Sequence, residues 1–161
     1  MQNIDSELPS YAIEIAEKAG AEYAEARLQS TEYIICMLKN GQQQPIAIGE
    51  ALGLGIRVIL NGGLAFSATN IFDRNQTREL VENAVKKAKA VSEHLKNKIK
   101  FSRERKVKKK WGVEEKDKLE DKNFEDIVMV LKDLDSIVLE KKDYIPMRFI
   151  EMGIFFDRKI F

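Results

Sequence analysis

Apolar residues recur at helical spacing near the start of the chain. Leu8, Tyr11, Ala12, Ile15, Ala16 and Ala19 share one face, Glu7 suits the positive end of a helix, and Gly20 supplies a stop. This pattern predicts a helix from about Ser6 to Ala19. Pro9 is compatible with it because it lies in the first turn. After Gly20 the period falls to two. Ala24, Ala26 and Leu28 alternate with Glu25, Arg27 and Gln29, and a second strand is expected from about Tyr33 to Lys39, closed by an Asn40-Gly41 turn.

A third strand, Ile46 to Ala51, leads through Gly53 and Gly55 into Ile56-Arg57-Val58-Ile59-Leu60. Asn61-Gly62-Gly63 and the strand Leu64 to Thr69 follow. Asn-Gly between alternating apolar residues is a strong hairpin signal, and the expected pairing sets Leu54, Ile56, Val58 and Leu60 opposite Leu64, Phe66 and Ala68. Asp73 with Gln76 marks the start of a second helix, whose stripe is Leu80, Val81, Ala84, Val85, Ala88, Val91 and Leu95. Asn123 caps a third, carrying Phe124, Ile127, Val128, Leu131, Leu134 and Val138. Pro146 then introduces an extended stretch through Ile154-Phe155-Phe156. Asp157-Arg158-Lys159 reads as a hairpin turn before a last strand ending in Ile160-Phe161. The sum is a single α+β domain over residues 1–161, a mostly antiparallel sheet with about three helices packed on it.

Composition narrows the chemistry. The 161 residues include 27 Lys+Arg and 26 Asp+Glu, so a net charge of +1 gives no global field for nucleic acid or any other charged ligand. A single His94 and a single Cys36 do not make the His/Cys set of a common zinc site. Cys36, inside Ile34-Ile35-Cys36-Met37-Leu38, reads as a buried thiol in a reducing cytosol. His94 reads as a surface residue near a helix end. No apolar run approaches the roughly 18 residues of a spanning helix, and the start of the chain lacks the form of a secretory signal. A cytoplasmic protein without membrane contact is expected.

Three features invite a functional reading. Gly49, Gly53 and Gly55 match no nucleotide fingerprint and precede a strand, so they read as sites of twist or close backbone approach. Arg57 lies on the opposite face from Ile56 and Val58 and reads as a salt-bridged or snorkelled surface side chain, with carboxylate recognition or an inter-domain contact as the functional alternatives. The run Lys96 to Lys122 is almost continuously charged. Lys98, Lys100, Arg103, Arg105, Lys106, Lys108, Lys109 and Lys110 precede Trp111, and Glu114, Glu115, Asp117, Glu120 and Asp121 follow. It reads as an exposed connection, with a short strand at Lys106 to Val113 or a helical turn near Lys118. Lys106, Lys108, Lys109, Lys110 and Trp111 compose a basic patch able to track a nucleic-acid backbone and stack a base, although the neighbouring acids oppose that field.

The order of several segments resembles one known family. Ala19-Gly20-Ala21-Glu22-Tyr23-Ala24-Glu25-Ala26-Arg27-Leu28, Lys39-Asn40-Gly41, Gly53-Leu54-Gly55-Ile56-Arg57-Val58-Ile59, Asn61-Gly62-Gly63-Leu64-Ala65-Phe66-Ser67-Ala68-Thr69-Asn70 and Ala84-Val85-Lys86-Lys87-Ala88-Lys89 are together similar to the N-terminal region of the TldD/PmbA family. Its members were long labelled modulators of DNA gyrase and are now regarded as metallopeptidases.

The resemblance covers residues about 8 to 95, and more weakly 146 to 161. It implies a TldD/PmbA N-terminal-domain-like fold, in which Gly53, Gly55, Arg57, Asn61, Gly62, Gly63 and Phe66 belong to a structural or interface motif. It further implies a C-terminal domain or paired subunit as partner, homo- or hetero-oligomers, and unfolded peptide as substrate. The family's His-Glu-x-x-x-His zinc motif is absent from this sequence, so no catalytic or metal residue transfers. Zinc is expected only in a separate or missing C-terminal domain, and the chain alone is expected to be inactive. The family continues beyond a strand like Glu151 to Phe161, so a longer or split parent protein is expected. The alternatives are a stand-alone protein-interaction module using exposed sheet or the apolar C-terminal strand and, behind it, a nucleic-acid-binding domain using the Lys98 to Lys110 block.

Overall fold

The computed structural model describes residues 5–102, 104, 109–141 and 143–161. Among these, the elements in chain order are α1 (Leu8–Lys18), β1 (Tyr23–Lys39), β2 (Gln42–Gln43), β3 (Ala47–Leu60), β4 (Gly63–Thr69), α2 (Arg74–His94), a 3-10 turn (Leu119–Asp121), α3 (Phe124–Leu139) and β5 (Phe149–Ile160). The strands are hydrogen-bonded in the order β2-β1-β3-β4, with β5 against β1. The fold is α+β, an antiparallel sheet with three helices, and no described helix is long and apolar enough to cross a membrane.

The chain divides into two compact units. The first comprises Met1–Thr31, Glu50–Glu104 and Asp157–Phe161, and the second Glu32–Gly49 and Arg105–Phe156. In the first, α1 and α2 contribute Leu8, Ala12, Ala16, Leu80, Val81, Ala84 and Ala88 to one core, against Ala26 and Leu28 of β1, Leu54, Ile56 and Val58 of β3, and Ala65 of β4. The alanines let helix backbones come close, and each fully buried Leu, Ile or Val contributes about 1.5–3 kcal/mol. Asp73 caps α2, its Oδ1 accepting from the Gln76 amide at 2.8 Å.

In the second unit, Ile127 and Leu131 of α3 meet Cys36 and Leu38 of β1 and Ile154 of β5. Asn123 and Asp126 form a complete capping box at the start of α3. Burial pushes the Cys36 thiol above its ordinary pKa, so it stays protonated and acts as a packing residue.

Several expectations need correction. The two strands predicted over 24–39 are one continuous strand. Gln29 to Glu32 looks like a polar break but contains no Gly or Pro, and Gln29 and Thr31 both donate hydrogen bonds to Asp157 of β5. The same Asp157 lies inside β5, so 157–159 is strand and not a turn. The segments 46–51 and 56–60 likewise merge into β3, which is interrupted from β2 at Pro45, where the backbone amide a ladder needs is missing.

The hairpin register also differs from expectation. Asn61 (φ 50°) and Gly62 (φ 73°) form a two-residue turn, so Leu60 pairs with Gly63, Ile56 with Ser67 and Arg57 with Phe66. Because strand faces alternate, that one-residue difference turns Phe66 and Ala68 outward and puts Ala65 and Ser67 on the core side.

In the helices, Val91 (41% exposed) gives way to buried Ser92, and Leu134 (45%) to buried Asp135. Phe124 is also on the surface. The expected helical turn near Lys118 is present as the 3-10 turn. The strand expected at 106–113 is absent over 109–113, and the rest of it lies outside the described residues.

Candidate functional site: the outer face of the first unit's sheet

Strand alternation sends Ala26, Leu28, Leu54, Ile56 and Val58 to the core and their neighbours to the other side. Those neighbours, all within the first unit, line a concavity of about 330 Å³: Glu25, Arg27, Gln29 and Thr31 from β1, Gly53, Gly55 and Arg57 from β3, and Phe66 and Ala68 from β4. The two glycines form a floor without side chains. A Cβ at position 55 would stand 3.0 Å from the Phe66 ring, so the aromatic lies over bare backbone.

One side of the concavity is fixed by a short polar chain. Arg57 Nη1 donates to Glu25 Oε2 at 3.3 Å, and the Tyr23 hydroxyl donates to the same oxygen at 2.9 Å. Tyr23 in turn packs edge-on against Phe101, with centroids 4.7 Å apart. Burial, then the Glu25 hydrogen bond and charge, raise the Tyr23 pKa against an opposing effect of Arg57, so its hydroxyl remains a donor. At the far end, Thr31 and Gln29 donate to Asp157, which also pairs with Lys159 at 3.1 Å. Thr31 and then Lys159 hold the Asp157 carboxyl below its ordinary pKa. Arg27 lies between these arrangements, exposed and without an ion-pair partner among the described residues.

The predicted motif therefore separates into two parts. Gly53, Gly55, Arg57 and Phe66 converge on the outer face, whereas Asn61 and Gly62 form the hairpin turn. Gly63 is where that turn meets α2. A Cβ there would overlap the Ala88 carbonyl oxygen and stand 2.6 Å from the Ser92 nitrogen, a close approach only glycine allows. Lys98 belongs to this structural corner and not to a free basic surface, since its stem covers Gly62 and its Nζ donates to the Ser92 carbonyl at 2.5 Å. Within the basic patch, Lys109, Lys110 and Trp111 are exposed, Trp111 by 76%, while Lys106 and Lys108 lie outside the described residues.

Sequence reasoning missed Arg27 and Glu25 as site residues, although their alternation with Ala26 and Leu28 carried the signal. It also missed the buried pair of the second unit. There Arg148 Nε and Nη2 donate to Asp135 Oδ1 and Oδ2 at 2.7 and 2.8 Å. This bidentate pair is joined to the β1–β2 turn, because the Arg148 amide donates to Asn40 Oδ1 and the Asn40 amide to the Arg148 carbonyl. His94 is exposed at the end of α2, Cys36 is buried in the other unit, and among the described residues no group of three or more His, Cys, Asp or Glu side chains could hold a metal ion.

Residues 24–92 match the model of PmbA/TldA metallopeptidase domain 1. A comparison with curated proteins finds no match. Among solved structures, the chain is similar to a candidate modulator of DNA gyrase from Bacteroides thetaiotaomicron, with a TM-score of 0.64 and 18% identity over 95% of this chain and 34% of that one. A second candidate modulator of DNA gyrase, from Thermotoga maritima, gives 0.56 and 13% over 96% and 37%. TldE from Thermococcus kodakarensis gives 0.57 and 13% over 94% and 37%. The chain thus spans about a third of the length of each of these.

The class that the fold defines is an α+β domain, and its residues 24–92 are similar to domain 1 of PmbA/TldA metallopeptidases. Residues 24–92 thus match the first domain of the TldD/PmbA family, and the fold over nearly all of the chain is similar to that of these structures.

Proposed function

We propose that this chain acts as the non-catalytic N-terminal domain of a TldD/PmbA-like zinc metallopeptidase, forming part of the wall that encloses unfolded peptide and an interface with the C-terminal domain or a paired subunit. The match of residues 24–92 to the first domain of that family carries the reading. On this reading the catalytic zinc and the chemistry of peptide hydrolysis belong to the partner polypeptide. What this chain contributes is a sheet face with glycines, an aromatic ring and two arginines, suited to lying beside an extended chain.

The test is reconstitution. The purified chain is mixed with a TldD/PmbA-type C-terminal polypeptide that carries His-Glu-x-x-x-His, and complex formation and cleavage of unfolded peptide are measured. A stable complex whose activity depends on this chain is expected. Absence of any complex would refute the reading.

A second reading, a stand-alone protein-interaction module, draws on the second unit. Met129, Val130, Leu134 and Ile137 of α3 are 45–63% exposed, an apolar surface on a helix that is already packed on its other side. Here the expected outcome is binding of a partner through α3 with no dependence on a metallopeptidase subunit.

A further inference from the structure

We propose that the outer-face concavity of the first unit recognises the carboxylates of an extended acidic peptide, with Arg27 as the principal contact and Arg57 as the second. The choice of peptide as the carrier rests on the enclosing role proposed above. The carboxylate preference rests on the site itself.

Arg27 is exposed, lines the concavity and has no ion-pair partner among the described residues. Arg57 is oriented by Glu25, yet of the five N–H donors of a guanidinium this hydrogen bond engages one. Glu25 is in turn occupied by both Arg57 and the Tyr23 hydroxyl, and Asp157, beyond Thr31, is paired with Lys159. The acidic groups near the site are therefore already partnered, and the donors left over are cationic. Planar guanidinium forks match a carboxylate in two parallel hydrogen bonds.

Shape selects an extended ligand. Glu25 to Thr31 covers about 20 Å of strand, the length of roughly six residues of extended chain. Gly53 leaves its part of the floor without a side chain, and Phe66, packed over Gly55 and 58% exposed, provides an apolar wall beside the two cations.

The experiment uses the whole 161-residue chain and fluorescence anisotropy of labelled, unstructured Gly/Ser peptides that carry either glutamates or glutamines. The glutamate peptide is expected to bind roughly tenfold more tightly. Arg27→Gln is expected to abolish that difference, and Arg27→Glu to transfer the preference to a lysine-bearing peptide. Lys86→Gln, which removes the same charge from the exposed surface of α2, leaves the preference intact. Circular dichroism and thermal melts confirm that each variant folds.

Equal affinity for the two peptides, no binding of the glutamate peptide at millimolar concentration, or equal losses in Arg27→Gln and Lys86→Gln would overturn the proposal. So would a single-stranded DNA oligomer that binds more tightly than the glutamate peptide and depends on Arg27. None of these outcomes touches complex formation with the C-terminal polypeptide, so failure here and failure of the enclosing role are separable.

Discussion

The two units solve the same packing problem with different means. The first has two helices over its sheet, and its interior is a continuous apolar set running from Leu8 to Ala88. Polar residues of β1 and β3 line its outer sheet face around the concavity. The second has one helix and a smaller interior, and it places a bidentate ion pair where another apolar layer would otherwise sit. It also leaves large apolar side chains uncovered, including Ile137, Tyr144, Phe149 and Phe155. Burial holds the first unit together, whereas the second adds a specific polar connection and leaves apolar surface exposed. On the readings proposed above, ligand recognition falls to the first and assembly to the second.

The comparison can be broken in stages. The largest effect is expected from Ile56→Ala, which opens a cavity in the first core and should cost about 2–5 kcal/mol in urea unfolding. Hydrogen exchange should then show protection falling in α1, α2 and β4 before it falls in α3. Equal loss in both units would contradict the distinction drawn above.

Next is the ion pair. The hydrogen bond from Arg148 holds the Asp135 carboxyl below its ordinary pKa, and the reverse effect raises that of Arg148. A depressed carboxylate contributes stability that is fully present above its unfolded value of about 3.9 and is lost as pH falls through the lower folded value. Acidification below about pH 4 should therefore loosen α3 and the β1–β2 turn, and Arg148→Met should weaken the second unit at neutral pH while flattening that acid dependence. A pH profile unchanged by the substitution would sink the idea.

Asn123→Ala, which removes the capping box of α3, should cost about 1 kcal/mol, read as a shift in the urea midpoint. The smallest stability change is expected from Ile137→Ser. That side chain is 63% exposed, so monomer stability should move by less than about 0.5 kcal/mol, while association through α3, measured by sedimentation, should weaken.

Much of this architecture is legible in the sequence. The helices were found because their apolar stripes and caps are local, as at Asp73 and Asn123, and the Asn40-Gly41 and Asn61-Gly62 turns carry the positive φ that those residues favour. Strand length was harder. Gln29 to Glu32 and Asp157 to Lys159 have loop-like composition but are held in strands by hydrogen bonds between residues more than 120 positions apart, which periodicity does not register. The outward turn of Phe66 depended on whether the hairpin loop had two residues or three. At the site, the Gly53, Gly55 and Arg57 motif was visible, whereas the isolation of Arg27 became apparent only once Glu25 was seen to be held by Arg57 and Tyr23. The Asp135–Arg148 pair had no local signal, since an aspartate on a helix looks like any solvated charge until its partner strand is in place.

The close approach at Gly63 has a mechanical consequence. With the hairpin backbone seated directly on the carbonyl of Ala88 and the amide of Ser92, and with Lys98 closing over Gly62, the β3–β4 turn and the second half of α2 cannot slide past one another. Amides of β4 and of α2 around Ala88 should then exchange with one common opening rate, as a single cooperative piece. Motion imposed on α2 would reach β3 through this turn, and with it the strand that carries Gly53, Gly55 and Arg57.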